Sequence, residues 1–225
     1  MEPGESQKVS EFCDLIKSRR SVRSFKNLPV DKKLLFDLLD IARWAPSHCN
    51  TQDVSFIIID DDEIKNQIID MGGSVIIRNA PVGVVVLYNN CSDNLEYSDF
   101  IQSGAAVIQN LLLLAHANGL GACWVAHLPR KSEMRTLLDI PPTYDPIAYV
   151  LLGYPARDPK PVPRKYDMQD ITSFNKFRPR DPVPGDTRSV HARSMFRSFY
   201  YKLPTSLKKI INPIVDRIFV KKFEN

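Results

Sequence analysis

The segment Val107 to Ala115 (Val-Ile-Gln-Asn-Leu-Leu-Leu-Leu-Ala) is apolar on nearly every side of a helix. A helix with so little polar surface offers no face to water, so it is buried in a core or at a subunit interface. It sits within a longer run, Phe100 to Asn118, which Asp99 is placed to cap and Gly119 to stop. A buried helix needs a surface to lie on. Four runs rich in β-branched and aromatic residues provide candidate strands: Val54 to Ile59, Pro81 to Tyr88, Gly121 to Leu128 and Ile147 to Tyr154.

Shorter helices complete the pattern. Phe12, Leu15 and Ile16 are spaced as on a helix from Glu11 to Arg20. Asp31 is a plausible N-cap for a helix to Trp44, with the stripe Leu34, Leu35, Leu38, Leu39 and Ala42, stopped by Pro46. Asp60 to Asp70 and Arg130 to Leu138 read as two more. The βαβ alternation of a doubly wound sheet is imperfect, and neither Gly-x-Gly-x-x-Gly nor a P-loop is present. The expectation is an α+β domain of packed layers. A length of 225 residues, 44% hydrophobic and 25% charged, suits one sizeable globular domain or two small ones.

Several function classes lose support here. Cys13, Cys49, Cys91 and Cys123 form no Cys-x-x-Cys pair, and His48, His116, His127 and His191 show no metal-ligand spacing. The cysteines read as free thiols in a reducing, cytoplasmic compartment. The acidic start, Met1 to Glu5, lacks the apolar core of a secretory signal. The net charge of +4 hides an asymmetry: residues 176–225 hold 12 Lys/Arg and 4 Asp/Glu, leaving 18 and 22 in residues 1–175. A basic tail on a mildly acidic body is poor support for nucleic-acid binding, and no nucleic-acid partner is expected. The expected organisation is a body of residues 1–175 and a basic arm of residues 176–225. In the arm, Leu207, Ile210, Ile211, Ile214, Val215 and Ile218 share a helical face, with Lys208 and Lys209 pointing elsewhere and Pro213 interrupting. Such a segment either docks on the body or lies in a lipid interface.

Four short stretches carry polar chemistry. Arg19, Arg20 and Arg23 surround Ser21, and guanidinium forks with a hydroxyl suit an anion. Pro46-Ser47-His48-Cys49-Asn50-Thr51-Gln52 offers uncharged donors and acceptors for a heteroaromatic edge. Gly119-Leu120-Gly121-Ala122-Cys123-Trp124-Val125-Ala126 brings two glycines to a strand entry, where backbone approaches a ligand closely. Gly153-Tyr154-Pro155 precedes Arg164 and Lys165, a second anion-binding candidate. Alone, each is equally an ordinary turn or helix end.

Together, with Asn79-Ala80-Pro81 entering a strand, these pieces resemble the nitroreductase family of flavin-dependent oxidoreductases over roughly residues 11–175. The resemblance implies a homodimeric α+β fold with a mostly antiparallel central sheet flanked by helices, and non-covalent FMN at the subunit interface. It implies that Arg19, Arg20 and Ser21 hold the phosphate and ribityl chain, and that Arg23 reaches the pyrimidine side near N1 and O2. Pro46, Ser47 and Asn50 would come from the partner subunit, and Gln52 would also bind the cofactor. The backbone of Trp124, Val125 and Ala126 would flank N5 and O4, with Cys123 beside them in the cofactor site, and Arg164 with Lys165 would close on the phosphate. It also implies two-step exchange, in which NADH or NADPH gives hydride to flavin N5 and a quinone, nitroaromatic or similar conjugated acceptor then takes it. No side-chain acid is required. A specialised member acting on one biosynthetic intermediate is the close alternative. A membrane-surface protein led by its tail, peripheral at a membrane, is the more distant one. Two departures stand out. The family often continues Gln-Pro-Trp, where this chain has Gln52-Asp53-Val54, and Cys49 is unusual within the flavin loop.

Overall fold

The computed structural model describes residues 3–94, 96–178, 195, 199–200, 202–204 and 206–211. Most of the turn-rich stretch of the arm, and its amphipathic segment from residue 212 with Pro213, lie outside the described residues. In residues 3–178 the helices and strands follow one another as α1 (Pro3–Ser18), α2 (Lys32–Ala42), β1 (Val54–Ile59), α3 (Asp62–Asp70), β2 (Val82–Asn89), α4 (Asp99–Ala117), β3 (Gly121–Val125), α5 (Lys131–Leu137), β4 (Tyr144–Gly153) and α6 (Met168–Ile171). The strands form one sheet in the order β1-β2-β4-β3, antiparallel at each junction. This is the α+β layered architecture expected.

Alternation along the strands sorts the core into two layers. Val82, Val84 and Val86 of β2 and Ala148, Val150 and Leu152 of β4 face α2 and α4. Val85, Leu87, Tyr149 and Leu151 face the opposite way, onto Ile68 and Ile69 of α3, Ile77, and Met134 of α5. β2 and β4 are therefore buried on both faces, which explains their unbroken apolar runs. α4 is long and apolar enough to cross a membrane by length and composition. Here it is a core helix: Val107, Ile108, Leu111, Leu112 and Ala115 are buried against α2 and the sheet.

Several boundaries differ from expectation for identifiable reasons. The N-cap of α4 is Ser98, at φ 46°, and Asp99 is the first helical residue. The Asp99 carboxylate accepts from Ser92 at 2.6 Å instead of capping. α3 begins at Asp62 rather than Asp60, capped by Asp61, which accepts from the Glu63 and Ile64 amides. β4 begins at Tyr144, despite Pro146. The missing proline N–H is accommodated by a register shift between Val86 and Leu87, where Leu87 faces Pro146. β3 ends at Val125, short of Leu128. α1 runs from Pro3 to Ser18, starting earlier and ending two residues sooner than Arg20.

The described part of the arm returns to the body with the opposite face inward. Lys208 is buried, its Nζ 3.2 Å from Glu133 Oε1 and 3.4 Å from the Met71 carbonyl, while Leu207 and Ile210 are exposed. Lys209 pairs with Asp70 at 2.7 Å. The reason is chemical: a carboxylate and the carbonyl just past α3 give an ammonium two acceptors, and its methylene stem fills the gap. Tyr200 is buried with its ring 6.1 Å from that of His127.

Gly83 carries a packing constraint that identity alone satisfies. A Cβ there would lie 2.0 Å from the Tyr149 ring, which crosses the strand at that point. Gly83→Ala is expected to cost about 3 kcal/mol by overpacking, seen as a fall in Tm of roughly 6–12 °C in a thermal melt. An unchanged Tm would show that the ring moves aside freely.

Candidate active site

The Arg-rich segment after α1 is threaded between two strand ends. Ser21 forms a parallel bridge with Ala122 of β3, and the Val22 amide donates to the Ala122 carbonyl at 2.9 Å. Further on, Phe25 bridges Pro155, Lys26 N donates to Tyr154 O, and Ala156 N donates to Ser24 O. Asn79 Nδ2 donates to the Arg23 carbonyl at 3.1 Å. Four of the five motif stretches therefore meet at one sheet edge, although they span more than 130 residues of sequence.

Cations gather there. Burial, then the neighbouring charges of Arg20 and Arg164, lower the pKa of Arg19 from its ordinary guanidinium value. Among the described residues no carboxylate is ion-paired with Arg19, Arg20 or Arg164. Arg20 Nη1 donates to the Lys17 and Arg19 carbonyls at 2.6 and 2.7 Å, while its buried Nε has no partner. The charges of Arg19, Arg20 and Arg164 lie close enough to perturb one another, a donor set chemically suited to an anionic phosphate. Lys165 stands exposed beside Arg164.

β3 forms the wall. Cys123 is buried, its thiol pushed up by burial despite Arg23, Ser21 and Arg19 nearby, so it stays protonated at neutral pH. Val125 is buried on the α3 side of the sheet, while Trp124 and Ala126 are exposed. The two glycines before the strand have local duties. Gly119, at φ 72°, ends α4, and Gly121 leaves room for Val22, whose Cβ would lie 2.8 Å from an added methyl.

The loop Pro46–Gln52 is elsewhere. Its His48 is tied to Ser103 near the start of α4, whereas His116, close to the end of α4, contacts Ser18 just before the arginines, with Nε2 2.9 Å from Ser18 Oγ. Thirteen residues of helix between these two anchors amount to about 20 Å. Pro46, Ser47, Asn50 and Gln52 are thus separated from Arg19, Arg20, Ser21, Arg23, Cys123 and Arg164 within one protomer. Exposed apolar side chains include Phe12 and Ile16 of α1, Ile41 of α2, and Trp44.

Sequence reasoning passed over His116 and Ser18 because nothing near them in the chain marks them. Their signal is spatial: a histidine in the last turn of α4 brought against the arginines.

The profile of the Nitroreductase family matches residues 16–72 and 68–154. A Methanothermobacter thermautotrophicus protein, named as a candidate NADH dehydrogenase/NAD(P)H nitroreductase, is 32% identical over 68% of this chain and 82% of its own length. The 5,6-dimethylbenzimidazole synthase of Rhodospirillum rubrum is 28% identical over 66% of this chain and 83% of its own. Among solved structures, an FMN-dependent nitroreductase of Clostridium difficile superposes with a TM-score of 0.61, at 25% identity over 72% of this chain and 98% of that one. The chain belongs to the nitroreductase family, and with it to the oxidoreductases.

His116 reports on the cationic cluster. Burial, then Arg19 and Arg20, holds its pKa below the ordinary 6.5. The unfolded chain therefore binds the proton more readily, so stability contributed here is present above about pH 6.5 and is lost as pH falls through the folded value. Inorganic phosphate bound beside Arg19 and Arg20 is expected to raise the His116 pKa. An NMR titration of its ring proton with and without phosphate checks this, and an unmoved titration would place the anion elsewhere.

Proposed function

We propose that the protein is a homodimeric FMN-dependent oxidoreductase that draws electrons from NADH or NADPH and passes them to a quinone, nitroaromatic or similar conjugated acceptor. The observation that carries the reading is the division of the site. The cationic edge and the polar loop lie at opposite ends of α4, so one chain holds two unfinished halves. Two copies related by a two-fold axis complete both halves at once, with the exposed apolar side chains of α1 and α2 between them.

The residues divide the work. Arg19, Arg20 and Ser21 would hold the phosphate and ribityl chain, with Arg164 and Lys165 closing over them. Arg23, fixed through its carbonyl by Asn79, would place a cation at the pyrimidine side, where negative charge develops on reduction. The backbone from Cys123 to Ala126 would present donors along the opposite ring edge. Pro46, Ser47, Asn50 and Gln52 of the second copy would cover the ring. Bound FMN supplies the hydride chemistry, accepting from the nicotinamide and giving to the acceptor. The similarity to an FMN-dependent nitroreductase supports the choice of flavin.

A second reading has a specific observation in its favour. The similarity to 5,6-dimethylbenzimidazole synthase supports a member specialised for one biosynthetic intermediate, with nitroreductase activity incidental. A tail-led role at a membrane surface has less support, because Lys208 and Lys209 are engaged by Glu133 and Asp70 of the body.

Purified protein is expected to be yellow, to release FMN on denaturation, to run as a dimer, and to bleach on anaerobic addition of NADH or NADPH. Arg20→Ala should weaken FMN binding by roughly 10- to 100-fold, the loss of a charge-assisted contact. Flavin present but unbleached by either nicotinamide would favour the specialised reading. A colourless protein that takes up no added FMN would overturn both.

A further inference from the structure

The Pro46–Gln52 loop holds three non-glycine residues in the left-handed region: Cys49 at φ 46°, Asn50 at 56° and Gln52 at 56°. Such backbone persists only where its surroundings over-determine it. Some of the restraint is internal. Asn50 N donates to the Ser47 carbonyl, Gln52 N to Ser47 Oγ at 3.1 Å, and Gln52 Nε2 to Asn50 Oδ1 at 3.0 Å. Thr51 Oγ1 lies 3.1 Å from Tyr88 Oη, which ties the far side of the loop to β2.

The near side is tied by His48. Its backbone N–H donates to Ser103 Oγ at 3.0 Å, and its Nδ1 lies 3.1 Å from the same oxygen. Ser103 Oγ in turn donates to the Asp99 carbonyl at 3.0 Å. A hydroxyl has one proton and two lone pairs. With its proton on Asp99 O and one lone pair taken by the backbone N–H, it can only accept from the imidazole. Nδ1 is therefore protonated, and Nε2 lies 3.9 Å from an Asp99 carboxylate oxygen. The ring also lies against Tyr88, with centroids 5.8 Å apart. All three bonding sites of Ser103 are used, which makes the geometry specific in a way a simple apolar contact would not be.

We infer that His48 is a positioning residue that, through the Ser103 hydroxyl, holds the Pro46–Gln52 loop in the shape that closes on the flavin of a second copy. The inference rests on the reading given under Proposed function and adds a residue to it. In this reading His48 acts on the loop and not on the reacting atoms. It couples that loop to α4, the helix whose other end carries the phosphate edge.

The Nδ1 proton gives the test its discrimination. Asn at position 48 can donate to Ser103 Oγ much as Nδ1–H does. Asp can only accept, and it would face Asp99 as well. Apo full-length His48→Asn, His48→Asp, His48→Ala and Ser103→Ala would be titrated with FMN by quenching of flavin fluorescence. Amide exchange of Asn50, Thr51 and Gln52 and the apo Tm would be measured alongside. The expectation is FMN affinity within about twofold of wild type for His48→Asn. His48→Ala and Ser103→Ala should lose about tenfold, and His48→Asp at least as much. Loop amide exchange should accelerate in the same order. Two results overturn the inference alone: equal FMN affinity in all folded variants, or His48→Asn behaving no better than His48→Ala. A change in Tm without a change in affinity or exchange assigns His48 a merely structural role and also overturns it. A wild-type chain that binds no FMN overturns the proposed function, and this inference with it.

Discussion

The packing of α4 against the doubly buried strands β2 and β4 is the contact on which the rest of the structure depends. Both strands lack a wet face, so helices must cover the sheet on each side. α4 covers the greater part of one side, with Val107, Ile108, Leu111, Leu112 and Ala115 on Val84, Val86, Ala148 and Val150. Because it is a rigid rod of fixed rise, it also sets a distance. One end receives the loop through Ser103, and the other receives the arginine segment through His116. The same contact that makes the core therefore keeps the polar loop and the arginine segment apart within one chain.

Charge is arranged with equal economy at the edge of β3. Arg19, Arg20 and Arg164 crowd one another, and the buried Nε of Arg20 has no partner. A folded protein tolerates such crowding when something else is meant to relieve it. Elsewhere the chain neutralises its buried charges internally: Asp145 is held by Lys131, Arg135 and Asn90, and its pKa stays below the ordinary carboxylate value despite burial. The Asp145 cluster is a closed structural network, whereas the arginine cluster has no carboxylate ion-paired with Arg19, Arg20 or Arg164 among the described residues.

Much of this was legible in the sequence where the determinants are local. β1 has the bounds its residue types predict, and α2 begins where Asp31 caps it, accepting from the Leu34 amide. The two-faced burial of β2 follows from its uninterrupted Val run. The errors came where a distant partner decides. Asp99 has the chemistry of a cap but is recruited by Ser92, leaving the position to Ser98. Pro146 argues against a strand until the bulge opposite Leu87 is known. Lys208 faces inward only because Glu133 and the Met71 carbonyl await it. For the site, the motif order marked the residues, but no reading of adjacent residues could pair His48 with Ser103, 55 positions away. The strain at Cys49, Asn50 and Gln52 was equally hidden, since glycine, the usual marker of positive φ, is absent there.

β3 is an edge strand, with β4 on one side only. Its other side is occupied at Ala122 by Ser21 and by the Val22 amide. The arginine segment thus does a second job besides gathering cations: it shields hydrogen-bonding groups that would otherwise invite another chain to add a strand. Anything that loosens residues 21–22 from β3 uncovers that edge at the same moment as it dismantles the cationic cluster. In this molecule the segment that gathers the cations is also the one that covers the β3 edge.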